Sequence, residues 1–487
     1  MAPYMLHPSS PQANSMLEKG PWEGAISSPD ASTPMRWCAE LLRPDILKEG
    51  KRQWSMRRTA YLDGLRGFAA LLVYVGHHQL WAHSISTGIF ENAYGFQGRH
   101  YFVSLPGIRT FFSGGHFAVS VFFILSGYVL SSKPLSLTHN DESSKLLEYL
   151  SSALFRRWLR LYIPVICTTL LYMTSLHLFN IQATPRRQST YSEELWKWYC
   201  DFKNFSFVFK SGGEPWFDYN FHTWSIPVEF QGSIVIYTTL IAFSRCEQRF
   251  RLWCTAGLCF YFMYIVDGSF CAMFVAGMLL CELDLLAERD DLPKIFNKFR
   301  PYKEPMIYVL FIASLYLGGV PSHDNDLQGL RNSPGWFYLS FLKPQAVFNY
   351  KSFYLFWAAI FMVTSSSHIA WLRTFFEIRF NQYLGRISFS LYLVHGPILW
   401  TLGTRLYAAT GLVHQSHVED VSGWINRFPM SKEGPLGLEL AFLAPQLILF
   451  PVSLWLAEIC TKLFDEPSVK ISHWLYRKTL SPAAKLS

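Results

Sequence analysis

The sequence contains little charge. Only 16% of its 487 residues are charged, whereas soluble globular proteins carry about 25%. Half of the residues are hydrophobic, and the 17 Trp and 41 Phe residues suit lipid-facing surfaces and interfacial aromatic belts. The composition therefore argues against a set of ordinary soluble domains and favours one membrane domain.

Several chemical signatures are also missing. The nine cysteines include no Cys-x-x-Cys pair, the histidines show no His-x-x-x-His spacing, and no Gly-x-Ser-x-Gly motif is present. We therefore expect no metal site, no disulfide framework and no serine nucleophile. The net charge of +8 is spread over short clusters between apolar segments, which is typical of the cytosolic edge of a membrane protein and not of a nucleic-acid-binding protein.

The pattern along the chain predicts an all-α fold, a polytopic integral membrane helical bundle. Residues 1–55 are polar without an apolar run, so we expect a flexible tail and no signal peptide. Residues 56–470 form the predicted transmembrane domain, and residues 471–487 a cytosolic tail. A membrane-spanning helix needs about 20 mainly apolar residues. About ten segments qualify: 61–82, 111–131, 161–180, 223–244, 250–266, 269–287, 304–320, 352–371, 383–403 and 438–463.

The distribution of Lys and Arg gives an orientation. These residues are denser in segments such as 131–160 and 287–303 than in the loops on the other side, such as 83–110 and 321–350. Because cytosolic loops are enriched in Lys and Arg, both termini are predicted to be cytosolic. An endomembrane such as the endoplasmic reticulum, or the plasma membrane, is the expected location.

The first predicted span contains two groups that lipid does not favour. Arg66 and His77 are 11 residues apart, so on a helix they share a face and lie about 16 Å apart in depth. Gly64 and Gly67 leave the adjoining surface small, which allows a neighbouring helix to approach closely. One interpretation is a boundary Arg and a satisfied core His; the other is a functional path, because ionisable groups inside a membrane usually mark one.

Three further polar residues fall in the same predicted layer as His77. Depth along the helices places His116, Glu229 and His395 in the outer third of the bilayer. Independent core residues would not share one layer, so we expect a common polar cavity. At the cytosolic face, Arg157 and Arg160 lie one helical turn apart. They serve either as positive-inside anchors or as a phosphate clamp, because Arg offers paired donors that match phosphate.

Together these motifs resemble the membrane acyltransferase type 3 family, and the fungal branch in particular. The similarity covers about residues 61–470 and is carried by blocks in the family's order. They are the Arg66-x10-His77 pair after "YLDGLRG", "FFILSG", "RRWLRLY", "WSIPVE", "LGRISFSLYLVHGPI" and "FDEPSVK".

The resemblance implies an integral-membrane O-acyltransferase. Members move an acyl group, usually acetyl, from acyl-coenzyme A to a hydroxyl of a glycan, a lipid or a natural product such as a terpenoid, and their essential Arg and His map onto Arg66 and His77. We expect His77 to act as general base, because an imidazole titrates near neutral pH, with Glu229 orienting it.

The remaining site residues divide between the two substrates. Arg66, Arg157 and Arg160 are expected to hold the phosphates of the acetyl-coenzyme A co-substrate. His116, Trp224 and His395 are assigned to the acceptor. A transporter with a buried His/Glu/Arg relay is the alternative from another class, and a structural membrane scaffold is a third. Neither alternative predicts consumption of acetyl-coenzyme A.

Overall fold

The computed structural model describes residues 41–45, 58–83, 88–209, 215–322, 326–413 and 421–481. The fold below is that of the unit Glu49–Ser487. The predicted flexible tail, residues 1–55, lies outside the described residues except for 41–45, and so do residues 482–487 of the predicted C-terminal tail.

Within these residues the fold is helical and contains no β-strand. The α-helices with defined bounds are α1 (Ala60–Ala82), α2 (Arg109–Ser113), α3 (Gly115–His139), α4 (Ser143–Leu178), α5 (Tyr191–Phe205), α6 (Ser225–Phe243), α7 (Gln248–Phe260), α8 (Ser269–Glu288), α9 (Ile295–Phe299), α10 (Lys303–Leu317), α11 (Leu327–Asn332), α12 (Tyr350–His368), α13 (Ala370–Glu377), α14 (Arg379–Ile398), α15 (Thr404–Thr410), α16 (Leu440–Cys460) and α17 (Glu466–Thr479). A 3-10 helix, Asp218–Trp224, leads into α6, and π-helical turns extend α7 (Tyr261–Ile265), α14 (Leu399–Gly403) and α16 (Thr461–Asp465).

The helical membrane fold is confirmed, whereas the number of spans stays a prediction. Among the described residues, five helical segments are long and apolar enough to cross a membrane. Helices α12 and α13, which meet at a bend of 93°, form a sixth such segment if the two helices belong to one span. A helix overlaps each of the ten predicted spans, but several, such as α7 and α10, are shorter than a typical span.

Close packing of α1 against α14 positions the candidate site. A side chain at Gly67 would overlap the backbone of α14 at Gly385, so only glycine permits this approach. Arg66 donates to the carbonyl of Gly385 at 2.9 Å, and 11 residues later the ring of His77 meets that of His395. Because the contacts run in the same order along both helices, α1 and α14 are parallel.

Helix α5 anchors the 3-10 helix 218–224. Glu194 of α5 is buried and accepts hydrogen bonds from Tyr219, from the backbone N–H of Gln188 and from His177. Burial raises the pKa of this carboxyl group, but the three hydrogen bonds outweigh burial and hold the pKa below its usual value. The ionised form of Glu194 therefore ties α4, α5 and the 218–224 helix together.

Helix α17 continues past residue 470, the predicted end of the transmembrane domain. Within residues 471–479, Tyr476 packs on Phe155 of α4 with ring centroids 5.5 Å apart. Ser468 and Ser472 of α17 are buried. The domain boundary itself stays a prediction.

Candidate active site

Three imidazoles from distant parts of the sequence meet at one point. His77 of α1 and His395 of α14 are linked by a hydrogen bond of 2.8 Å between Nδ1 and Nε2. His222, from the 218–224 helix, stacks on His77 with ring centroids 3.8 Å apart and an interplanar angle of 11°. The centroid of His222 lies 5.0 Å from that of His395, with 13° between the planes. The site is therefore a cluster of nearly parallel rings.

The hydrogen bonds fix which nitrogen carries each proton. Nδ1 of His395 lies 3.0 Å from the carbonyl oxygen of Leu391, and a carbonyl only accepts, so Nδ1 of His395 is the protonated nitrogen. Nε2 of His395 then carries a lone pair and accepts from Nδ1–H of His77. Neutral His77 is left with its lone pair on Nε2. Since the side chain of His77 is only partly buried, this nitrogen is available as a base.

Proline and glycine near the end of α14 make room for His222. Pro397 has no N–H, so the carbonyl of Leu393 lacks its helical donor, and the side-chain amide of Asn220 donates to it at 2.8 Å. A side chain at position 396 would meet Nδ1 of His222 at 2.8 Å, so Gly396 is needed for this packing. The "HGP" sequence thus docks the 218–224 helix beside the imidazole pair.

The three histidines also raise the question of a metal. One ligand nitrogen from each lies within 4.8 Å of the others. A metal ion bonds in the plane of each imidazole, where the lone pair points, and stacked parallel rings direct their lone pairs side by side. The rings therefore do not fit coordination of a single ion as they stand, and the arrangement favours hydrogen bonding.

His116 lies close to the start of α3, and its assignment to the acceptor stays a prediction. Helix α3 begins beside α1, where a side chain on Gly76 would lie 3.4 Å from the backbone nitrogen of Gly115. His116 follows directly and interacts electrostatically with His77. It also lines a small cavity with Arg109 and other polar residues of the adjoining loops. Polar groups thus continue beyond the imidazoles on the side of His116.

Trp224 occupies a different environment. It packs against the hydrophobic core, and its ring lies 5.8 Å from that of Phe270 in α8. This packing neither requires nor precludes contact with an acceptor, so its assignment to the acceptor site stays a prediction.

Glu229 is paired with an arginine. Its carboxylate forms an ion pair with Arg157 of α4, and the Nε–H of Arg157 donates to Ser233 at 2.8 Å. His77 has its hydrogen bond with His395 instead. The expected role of Glu229 in orienting His77 stays a prediction.

Arg66, Arg157 and Arg160 form one electrostatic cluster, while their role in binding coenzyme A stays a prediction. Arg66 lies 3.5 Å from the carboxylate of Asp63, and Arg160 interacts electrostatically with both Arg66 and Arg157. Asp465, in the π-helical turn after α16, is the acidic group that acts most strongly on Arg160. The cluster therefore contains several positive charges with acidic neighbours, about three helical turns from His77.

The sequence prediction missed His222 and Asp465. Asp465 belongs to "FDEPSVK", a block that carried the resemblance, and His222 lies two residues before the block "WSIPVE". Position in or beside such a block was the available signal. The contacts that make these residues important join segments far apart in the chain.

Comparisons with known proteins agree with this architecture. The acyltransferase 3 family model, described as an acyltransferase domain, matches residues 59–459. The chain is 29% identical over 473 residues to the O-acetyltransferase PaAT-1 of Phomopsis amygdali. This alignment covers 90% of the chain and 89% of PaAT-1. It is 21% identical to acyltransferase clz18 of Cochliobolus lunatus and 23% identical to acyltransferase R4 of Phoma sp., over 72% of this chain and 84% of each relative. No solved structure matches significantly.

The matched region contains Arg66, all three clustered histidines and four of the five apolar helical segments, and it includes the start of the fifth. The chain therefore belongs to the acyltransferase 3 family and is a multi-pass membrane acyltransferase.

Proposed function

We propose that the protein is an O-acyltransferase that moves an acyl group, most simply acetyl, from acyl-coenzyme A to a hydroxyl. The observation that carries the proposal is the hydrogen-bond chain from Leu391 through His395 to His77, which leaves a lone pair on Nε2 of His77. The similarity to PaAT-1, an O-acetyltransferase, supports acetyl as the group and oxygen as the acceptor atom.

The chemistry needs a base because a neutral alcohol is a poor nucleophile. Nε2 of His77 takes the proton of the acceptor hydroxyl as its oxygen attacks the thioester carbonyl. When the carbon–sulfur bond breaks, that proton passes to the thiolate and free coenzyme A leaves. His395 holds the ring of His77 in the correct tautomer and shares the positive charge that forms, the task that a carboxylate performs in hydrolytic triads.

The donor binds at the arginine cluster. Arg66, Arg157 and Arg160 lie near the cytosolic end of α1, and guanidinium groups suit phosphate. Coenzyme A is long and thin, with phosphates at one end and the thioester at the other. Such a molecule spans the roughly 16 Å along α1 that separate Arg66 from His77.

The acceptor approaches from the opposite end of α1. His116 and the cavity beside it are the proposed entry, and Trp224 is a proposed contact. A hydroxyl of a glycan, a lipid or a natural product such as a terpenoid is the proposed acceptor. The acyl group would then pass from a cytosolic donor to an acceptor within the bilayer or beyond it.

Ten spans and cytosolic termini are part of the proposal, in the endoplasmic reticulum or the plasma membrane. The directions of packed helices support the count. Arg289 at the end of α8 contacts His139 and Asn140 at the end of α3, while Phe123 of α3 stacks on Phe274 of α8, so these helices are parallel. Parallel α3 and α8 require an odd number of crossings between them, which is met if α4, α6 and the short α7 all cross.

The test is transfer of a labelled acetyl group. Purified protein in lipid vesicles is incubated with labelled acetyl-coenzyme A and an extract of the source organism, and mass spectrometry identifies any compound that gains the label. We expect one hydroxyl-bearing compound to be labelled by the wild type. His77→Ala is expected to abolish labelling because it removes the base.

Two further variants sharpen the result. Arg66→Ala is expected to raise the KM for acetyl-coenzyme A, and His368→Ala, which changes an exposed histidine at the end of α12, should leave the rate unchanged. Undiminished labelling by His77→Ala would refute the base assignment, while a wild type that neither consumes acetyl-coenzyme A nor labels any compound would refute the enzyme proposal.

A further inference from the structure

We propose that His222 is a positioning residue of the transfer reaction, whose ring stabilises the positive charge on the His77–His395 pair after His77 has taken the acceptor's proton. This inference rests on the proposed function. Its geometric basis is that one imidazole face covers both members of the pair, with centroid distances of 3.8 and 5.0 Å and all three planes within 13°.

Among the described residues, no acidic side chain forms a hydrogen bond with His77 or His395. The groups that act most strongly on His77 by charge, His395 and His116, are themselves histidines. Nδ1–H of His395 donates to the uncharged carbonyl of Leu391. Hydrolytic triads supply a carboxylate at this point, so this site needs another source of stabilisation for an imidazolium.

A stacked aromatic face is such a source. Cations are attracted to the face of an aromatic ring within about 6 Å of its centroid, and more strongly where water is excluded. The ring of His222 meets this distance for both members of the pair, and the residue is buried.

The surroundings hold the His222 ring in place. The carbonyl of His222 accepts a hydrogen bond from the hydroxyl of Tyr392, and the rings of Phe221 and Trp400 lie 4.2 and 5.1 Å from its ring. A ring fixed between other aromatic groups and the imidazole pair keeps one face on the reacting histidine. The role assigned to His222 therefore depends on its flat ring and not on its nitrogens.

Substitutions at position 222 separate the ring from the nitrogens. His222→Phe keeps an aromatic face, while His222→Leu and His222→Met keep bulk without one. Initial rates of acetyl transfer to the labelled compound give kcat and the KM for acetyl-coenzyme A, and size-exclusion elution and the thermal unfolding midpoint monitor folding. We expect kcat of the Phe variant to stay within about threefold of the wild type and kcat of the Leu and Met variants to fall about tenfold, with KM unchanged in all three.

Each outcome is decisive. Equal kcat values for folded Leu or Met and Phe variants would show that His222 only fills space, and this would overturn the inference. An equally low kcat for Phe would show that a nitrogen is required, which also overturns it. A wild type without acetyl transfer overturns the proposed function itself, whereas the first two results leave that function intact.

Discussion

Replacing His395 by Leu removes the acceptor for the Nδ1–H of His77, and this perturbation tests the hydrogen-bond chain directly. The lost bond is 2.8 Å long, and His395 is 1% exposed, so water does not replace the imidazole as an acceptor. A buried donor left without a partner costs about 1–3 kcal/mol. His77 is also freed to adopt the other tautomer, in which Nε2 is protonated and is no longer a base.

We therefore expect His395→Leu to lower kcat roughly 10- to 100-fold, because each 1.4 kcal/mol corresponds to about a factor of ten in rate. The KM for acetyl-coenzyme A should not change, since the arginines lie about 16 Å away along α1. His395→Gln should recover part of kcat because its side-chain oxygen accepts a hydrogen bond. The assay is the initial rate of labelled acetyl transfer at matched amounts of folded protein. A kcat of His395→Leu equal to the wild-type value would refute the assigned role.

Three other substitutions probe the surrounding structure. Glu229→Gln breaks the ion pair with Arg157 and should raise the KM for acetyl-coenzyme A severalfold with little change in kcat. A fall in kcat alone would instead indicate that Glu229 orients His77. Gly385→Ala places a methyl group against the carbonyl of Asp63, so α1 and α14 must separate, and we expect a loss of about 1–3 kcal/mol in stability together with reduced kcat. A melting temperature equal to that of the wild type would contradict the close approach. The Glu194 carboxyl group has a folded pKa below the usual 4.5, so its stabilisation is present above pH 4.5 and is lost as pH falls through the folded pKa. Glu194→Gln should thus lower the melting temperature at pH 7, and the difference should shrink as the pH falls below 4.5; a constant difference would contradict the assignment.

The sequence supported the features that depend on composition and on spacing within one helix. Apolar runs predicted an all-helical membrane fold, and the 11-residue spacing put Arg66 and His77 on one face of α1, where Arg66 contacts Gly385 and His77 contacts His395. The smallness of Gly67 indicated a close helix contact. These properties can be read locally, because helix geometry relates residue number to depth and direction.

The features that the sequence did not reveal depend on contacts between distant segments. Depth placed Glu229 near His77, but the direction of its side chain depends on Arg157, which belongs to another helix. His222 gained its place from the free carbonyl of Leu393 and from the space at Gly396. A single sequence gives no information on such pairings, although Glu229 and Arg157 each lie in a recognisable block.

The hydrogen-bond chain ends on the main chain at Leu391, and this has an evolutionary consequence. A carbonyl oxygen is supplied by every amino acid, so mutation of the side chain at position 391 leaves the final acceptor in place as long as the helix persists. A relay that ends on aspartate or glutamate can be lost through a single codon change. Here the last acceptor is part of the main chain. Natural variation at position 391 should therefore be limited only by how the side chain packs.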